Sequence, residues 1–303
     1  MSTLAVVTTF PPNRWTTYAK RMIQSHVDYW PDDVTLYAYY EGTKPDFEHD
    51  KVQFVNIEEA NPELIAFKSR HKDDPVANGE TREIPGGVRR DPNAGKNDRG
   101  KGSYLWDAVR FAHKTFAVNH GLKTIDADYV LWLDADTYTF RKISKEFVTE
   151  LLPKNKLVNF LGRGDKYPEC GWVCYNKRHP KIKEFMQYWT SLYIRDTIFK
   201  ELEWHDSYLF WQCVKRIAPN DGVDIGKGAG AKGHHVFINS VLGAYIDHMK
   251  GKRKVKGKSS KSDLRGDRKE DYWKTVEHYD PFGGVQFDAK QAEDIISKVA
   301  KGK

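Results

Sequence analysis

The sequence predicts an α/β fold. Short apolar runs that read as buried strands alternate with stretches whose apolar residues recur at helical spacing, and one run is apolar throughout. Residues 4–10 form an apolar run closed by Pro11 and Pro12, as a buried strand followed by a loop does. Residues 15–30 carry apolar and aromatic side chains at helical spacing, and 34–40 and 52–57 are again strand-like, so strand, helix, strand, strand opens the sheet. Residues 104–118 read as an amphipathic helix with Leu105, Ala108, Val109, Ala112 and Phe116 on one face and Asn119-His120-Gly121 as its stop. The run Tyr129-Val130-Leu131-Trp132-Leu133 is apolar or aromatic at every position, the pattern of a central strand covered by helices on both faces. Beyond it come an apolar run at 157–162, a segment at 170–176, helices expected at 180–193 and 207–217, and a short strand expected at 235–239.

Composition agrees with a folded enzyme: 303 residues, 39% hydrophobic and 13% aromatic, supply a substantial core. The expected organisation is a single catalytic domain over 1–249 followed by a basic segment and terminal helix over 250–303. Residues 69–102, polar and rich in Gly, Pro and charge, read as a mobile lid or a disordered stretch. No apolar run approaches the roughly 20 residues that cross a bilayer, and the start of the chain lacks the pattern of a signal peptide, so a cytoplasmic protein is expected. Cys170, Cys174 and Cys213 are too few for a disulfide framework, and no second Cys or His pair stands at zinc spacing; small buried residues are the expectation. The net charge of +7 is concentrated: residues 250–269 carry ten Lys or Arg against Asp263 and Asp267, a local +8, which leaves −1 elsewhere. Such a run suits a phosphate-bearing partner, and equally a solvated loop.

The chemistry centres on Asp134 and Asp136. Two carboxylates at i and i+2 point to opposite faces while the chain stays pleated, but in a tight turn after the strand both can converge on one hard cation, Mg²⁺ or Mn²⁺. A cation there bridges the phosphates of a nucleoside diphosphate and offsets the charge that develops as it leaves. The alternative is structural, with Asp134 as a turn residue and Asp136 as a helix cap.

Trp132-Leu133-Asp134-Ala135-Asp136 resembles the Asp-x-Asp signature of glycosyltransferases with the GT-A fold, and His248-Met249-Lys250-Gly251-Lys252-Arg253-Lys254 is similar to the His-x-x-Gly-x-x-Lys motif of the retaining glycogenin-like and lipopolysaccharide galactosyltransferase-like families. The chain departs from them after Lys254, continuing Val255-Lys256 in place of Pro-Trp. The resemblance implies a Rossmann-like, mixed, mostly parallel sheet flanked by helices, a nucleoside-diphosphate sugar, UDP-linked in those families, and a divalent cation. It implies His248 as third metal ligand, with His234 or His235 as substitutes, Gly251 as a close-approach glycine and Lys254 as a diphosphate clamp. The helix at 104–118 resembles the one preceding the Asp-x-Asp strand in related enzymes, including glycosyltransferase-like proteins of tailed phages. Arg110 and Lys114, four apart on it, become candidate donor contacts together with Thr8, near the end of the first strand. Glu169-Cys170-Gly171-Trp172 matches the acceptor-lining strand, with Trp172 available to stack on a sugar or base, and Asp206 stands where such enzymes place an acceptor-side carboxylate. A retaining reaction needs no strong base, so Glu169 or Asp206 would position the acceptor; an inverting one would use either as base.

The basic run makes DNA with a hydroxymethylated base, as in phage, the leading acceptor expectation. A surface glycan or lipid-linked acceptor is the alternative, with the run meeting an anionic membrane face. A non-catalytic nucleic-acid-binding protein is the competing class.

Overall fold

Nine strands are described in this computed structural model, which covers residues 2–80, 103–164, 166–229 and 235–275: β1 (Leu4–Phe10), β2 (Leu36–Tyr40), β3 (Val52–Asn56), β4 (Tyr129–Leu133), β5 (Thr137–Thr139), β6 (Val158–Arg163), β7 (Lys166–Asn176), β8 (Gly222–Asp224) and β9 (Ile246–His248). Seven form one sheet in the order β3-β2-β1-β4-β7-β6-β8, and β5 pairs with β9 in a separate ribbon. All neighbours in the large sheet are parallel except at β7, which runs antiparallel to both β4 and β6. The sheet is therefore mixed and mostly parallel, as expected, and β4 lies at its centre with every residue buried.

The helices are α1 (Lys20–Tyr29), α2 (Ile57–Ala60), α3 (Pro62–Arg70), α4 (Ala108–Thr124), α5 (Lys145–Glu150), α6 (Ile182–Ile194), α7 (Asp206–Ile217), α8 (Val236–Asn239), α9 (Arg253–Lys256) and α10 (Asp271–Lys274). One face of the sheet packs against α3, α4, α6 and α7 through Phe67, Phe116, Trp189 and Phe210. The other packs against α1, α5, α8, the β5–β9 ribbon and Trp273. Alternate residues of β1 serve the two cores, Val7 on the α4 side and Val6 on the α1 side, which is why these strands are apolar on both faces.

Several boundaries differ from the sequence expectation, among them the start of α4, which is Ala108 after a 3-10 turn at Ser103–Trp106, and that of β7, which is Lys166. The helix expected to stop at Asn119-His120-Gly121 continues to Thr124. Gly121 serves close packing instead: a Cβ there would meet Val7 Cγ2 at 3.0 Å and Ile125 Cδ1 at 3.2 Å. Of residues 235–239, expected as a short strand, Val236–Asn239 form the short helix α8. Asn239 closes that turn by donating to His235 O at 2.9 Å while its Oδ1 accepts from Arg265 N at 2.7 Å, so tertiary contacts override β-branched propensity. The helical stretch at 15–30 begins as a wide π-type turn, Trp15–Ala19, before α1. Most of the stretch expected as a lid, the residues beyond 275 and His234 lie outside the described residues.

The sheet direction explains where a site can form. The carboxyl ends of β1, β2 and β4 and the amino end of the reversed β7 share one edge, so Asp134 after β4 and Glu169 early in β7 are brought together. The ribbon is tied to the body at that edge. Trp30 Nε1 donates to Thr139 Oγ1 at 3.0 Å, and Thr139 N donates to Ser25 Oγ at 3.1 Å. From the other side, Asp247 Oδ2 accepts from Ser259 N and Tyr272 OH, each at 2.8 Å, and Tyr272 stacks on Phe140 at 3.9 Å.

His26 braces this anchor, stacked on Trp30 at 5.2 Å with Nε2 donating to Val34 O at 2.9 Å. Burial pushes its imidazole down to about 3 from the ordinary 6.5. The unfolded chain therefore binds a proton between these values that the folded chain does not. The contribution is complete above about pH 6.5 and is lost as pH falls toward 3, at about 1.4 kcal/mol per pH unit. Replacing His26 with Gln, which can keep the bond to Val34, is expected to remove one proton from the acid limb of urea stability measured between pH 6.5 and 4. An unchanged slope would contradict this.

Candidate metal centre

Two local features turn the carboxylates out of the pleat. Asp134 N makes a last ladder bond to Gly171 O at 2.9 Å, and Thr137 then caps the turn, its N and Oγ1 donating to Asp134 O at 3.1 and 2.8 Å. Thr137 starts β5, where it pairs directly with His248 of β9, and Met249 N donates to Asp136 O at 3.0 Å. His248 is thereby placed over both carboxylates. Its Nε2 lies 3.5 Å from Asp134 Oδ2 and 3.2 Å from Asp136 Oδ1, and one ligand atom from each of the three residues falls within 4.8 Å of the others.

The set fits a divalent cation. Neighbouring ligands of an octahedral ion at about 2.1 Å stand about 3.0 Å apart, close to the two His–Asp separations. Two carboxylate oxygens and one imidazole suit Mn²⁺ or Mg²⁺. The other ring nitrogen of His248, Nδ1, is buried without a hydrogen-bond partner among the described residues; Glu169 Oε1 lies 3.6 Å away, beyond hydrogen-bond reach.

Around these ligands, Asp134, Asp136, Glu169 and Asp206 are interleaved with Lys114, Lys250, Lys254 and His248. Lys254 Nζ reaches Asp136 Oδ2 at 2.6 Å and lies 5.2 Å from the Tyr18 ring centre. Lys250 pairs with Glu169. Lys114 is 4% exposed; its Nζ reaches Asp206 Oδ2 at 2.7 Å and Asp134 Oδ1 at 3.6 Å, and lies over the Trp132 ring at 4.8 Å. For Lys114, Asp136, Glu169, Asp206, His248 and Lys250, burial opposes the charge and the paired neighbours overcome it. Burial pushes His248 down, but Asp136 and Asp134 outweigh it and hold the imidazolium to about 9. Burial likewise raises Asp136, Glu169 and Asp206, and the cations overcome it: His248 and Lys254 lower Asp136, Lys250 and His248 lower Glu169, and Lys114 lowers Asp206.

The structure thus brings Asp134, Asp136, His248, Lys254, Lys114, Glu169 and Asp206 together. Arg110 is exposed, with its guanidinium 5.6 Å from the Phe111 ring centre, and its charge acts on Tyr18 together with those of Asp136 and Asp134. Arg110 and Lys114 share a helix face by spacing, yet one reaches solvent and the other is sealed in the ion-pair cluster. Thr8 is buried, and its hydroxyl lacks a partner among the described residues. Gly251 sits at φ +58° with open space where a Cβ would be, in the left-handed turn that brings Lys250 and Lys254 back to the site. His235 Nε2 donates to His248 O at 2.9 Å, and its ring stands edge-on to that of His248 at 5.6 Å. Trp172 is not available for stacking: it is fully buried in the α1-side core, with Nε1 donating to Asn159 Oδ1 at 3.1 Å.

Sequence reasoning missed Lys250, whose partner lies on another strand, and Trp132, whose Nε1 donates to Asp134 Oδ1 at 2.7 Å. It also missed the reason for Gly171. A Cβ there would meet His248 Cε1 at 2.4 Å and Nδ1 at 2.7 Å, so only glycine leaves room for the imidazole. Gly171→Ala is expected to displace His248, destabilising the fold by about 1–3 kcal/mol and weakening Mn²⁺ binding at least roughly tenfold. Urea unfolding and calorimetric titration read the two effects, and an unchanged Mn²⁺ affinity would count against His248 as a ligand.

No protein-family profile and no curated protein matches the sequence. Among solved structures, the chain is similar to mouse xyloside xylosyltransferase 1 in its apo form, at 10% identity and a TM-score of 0.43, covering 74% of this chain and 85% of that one. It is also similar to a glycosyltransferase involved in the glycosylation of the major capsid of PBCV-1, at 14% identity and a TM-score of 0.40, covering 83% of this chain and 97% of that one.

Proposed function

We propose that the chain is a metal-dependent GT-A glycosyltransferase that moves a sugar from a nucleoside-diphosphate sugar to a hydroxyl acceptor. The observation that carries this reading is the convergence of Asp134, Asp136 and His248 with Lys254 at the carboxyl edge of the sheet, where open α/β sheets bind ligands. Asp134, Asp136 and His248 hold the cation, Mn²⁺ or Mg²⁺. When bound, it supplies Lewis-acid stabilisation of the negative charge on the departing diphosphate. Lys254 swings from Asp136 to the diphosphate as a point charge, and the Gly251 turn gives the phosphates access to it.

In the reaction the bond from the anomeric carbon to the phosphate oxygen breaks, its electron pair leaving with the diphosphate, and a bond forms to the acceptor oxygen. The acceptor's proton passes to the leaving phosphate. Glu169 and Asp206 are each paired to a lysine, which lowers their basicity and suits them to positioning the acceptor and balancing positive charge on the sugar. This supports retention of configuration.

For the acceptor, DNA with a hydroxymethylated base is supported by sequence charge alone. Of the ten basic side chains in 250–269, Lys250, Arg253, Lys254, Lys258, Arg265 and Arg268 have partners within the chain. Lys252, Lys256, Lys261 and Lys269 are exposed and are the charges that DNA or an anionic membrane surface would meet.

Chelation with EDTA is expected to abolish hydrolysis and transfer from a panel of nucleotide sugars, with recovery on adding Mn²⁺. Asp134→Ala and Asp136→Ala are each expected to lower the rate by roughly 10³-fold or more. Activity that persists in both variants would rule the catalytic reading out. Lys254→Ala is expected to raise the Kd for UDP about tenfold; calorimetry that finds no change would remove Lys254 from the donor site.

A further inference from the structure

We infer that Trp132 is a positioning residue of the metal centre: its indole N–H holds Oδ1 of Asp134, which leaves Oδ2 as the oxygen offered to the cation. The assignment rests on the metal-dependent reading above and adds a residue to the same site. Trp132 ends the apolar wall of β4 on the α4 side, whereas its neighbour Leu133 enters the opposite core. Asp134 follows two residues after Trp132 and leaves the strand on the same side, as the pleat requires. Trp132 is 3% exposed, and its Nε1 donates to Asp134 Oδ1 at 2.7 Å. Lys114 Nζ closes the pair from α4, 4.8 Å from the indole ring centre and 3.6 Å from the same Oδ1. The other oxygen is turned to the metal ligands, with Oδ2 3.5 Å from His248 Nε2.

Asp134 is the carboxylate that most needs such a hold. Its side chain is 29% exposed against 9% for Asp136, whose two oxygens already face His248 Nε2 at 3.2 Å and Lys254 Nζ at 2.6 Å. A carboxylate free to turn about its terminal torsion exchanges its two oxygens, and a donor fixed on one of them stops the exchange. A neutral donor suits the task. The indole N–H can only donate, and it fixes Oδ1 without neutralising the carboxylate, so the negative charge stays available to a cation at Oδ2. An ammonium in the same place would compete with that cation; Lys114 makes its shorter contact, 2.7 Å, with Asp206. A buried indole N–H needs a partner, and on the neighbouring β7 Asn159 serves Trp172 in that way. At Trp132 the partner is a candidate metal ligand, the kind of outer contact that orients a ligating carboxylate.

The test compares Trp132→Phe with Trp172→Phe in the full chain, by calorimetric titration with Mn²⁺ and by urea unfolding. Phe at 132 keeps a ring beside Lys114 and removes the N–H. Trp172 is fully buried on the paired strand with its N–H on Asn159, so its variant loses the same volume and the same kind of bond away from Asp134. Both variants are expected to lose stability, and Trp132→Phe alone to raise the Kd for Mn²⁺, about tenfold. An Mn²⁺ affinity unchanged in Trp132→Phe would overturn the inference, as would an equal loss in both variants. A second readout uses the unmodified chain: the Trp132 indole N–H signal in ¹⁵N NMR, assigned by triple-resonance correlation and followed through a Mg²⁺ titration. It is expected to shift while staying protected from solvent exchange, because the bond to Oδ1 survives as Oδ2 takes the cation. A signal that becomes exchange-labile with Mg²⁺ would mean that Oδ1 is released, and the inference would fall. The metal-dependent reading fails in a different way, with the unmodified chain binding neither ion.

Discussion

Thr137–Thr139 pairs with Ile246–His248 over three residues, and this ribbon brings the candidate ligands Asp134, Asp136 and His248 together. Asp134 and Asp136 lead into one strand, His248 ends the other, and Lys250, Gly251 and Lys254 follow directly. Residues more than 100 positions apart become neighbours only through this pairing. Its short ladder would be marginal alone, and side chains on both flanks secure it: Trp30 and Ser25 on one, Ser259 and Tyr272 on the other.

The ion-pair cluster around the ribbon is poorly explained by stability. Asp136, Glu169, Lys114 and His248 are buried, and their desolvation costs what the mutual attraction at best offsets; well-packed apolar residues would do as well or better. What the cluster supplies is fixed position. Lys114 bridges Asp134 and Asp206, and Lys250 pairs with Glu169, which lies 3.6 Å from His248, so carboxylates from three elements are held in one group. Four carboxylates against three lysines leave one negative charge, which the His248 imidazolium balances.

The two faces of the sheet have separate tasks. The α1 face, with the ribbon and the segment through α10, builds the candidate cation site and the lysines beside it. The α4–α7 face supplies Lys114 and Asp206. They meet where β4 ends and β7 begins, which the single antiparallel strand makes possible: a parallel β7 would carry Glu169 toward the opposite edge of the sheet.

Local patterns fixed much of this in advance. The unbroken apolar run Tyr129–Leu133 identified the central strand, and the carboxylates at its end located the site, because only a strand buried on both faces is apolar at every position. The spacing from His248 to Lys254 marked the second half. The sequence could not report that Gly121 packs against β1 when its context looked like a helix stop, or that 235–239 would coil, since both depend on neighbours distant in the chain. Nor could it divide the +8 segment into six basic side chains with internal partners and four exposed lysines. Charge and periodicity are properties of the chain and can be read from it. Which lysine meets which carboxylate is decided by packing.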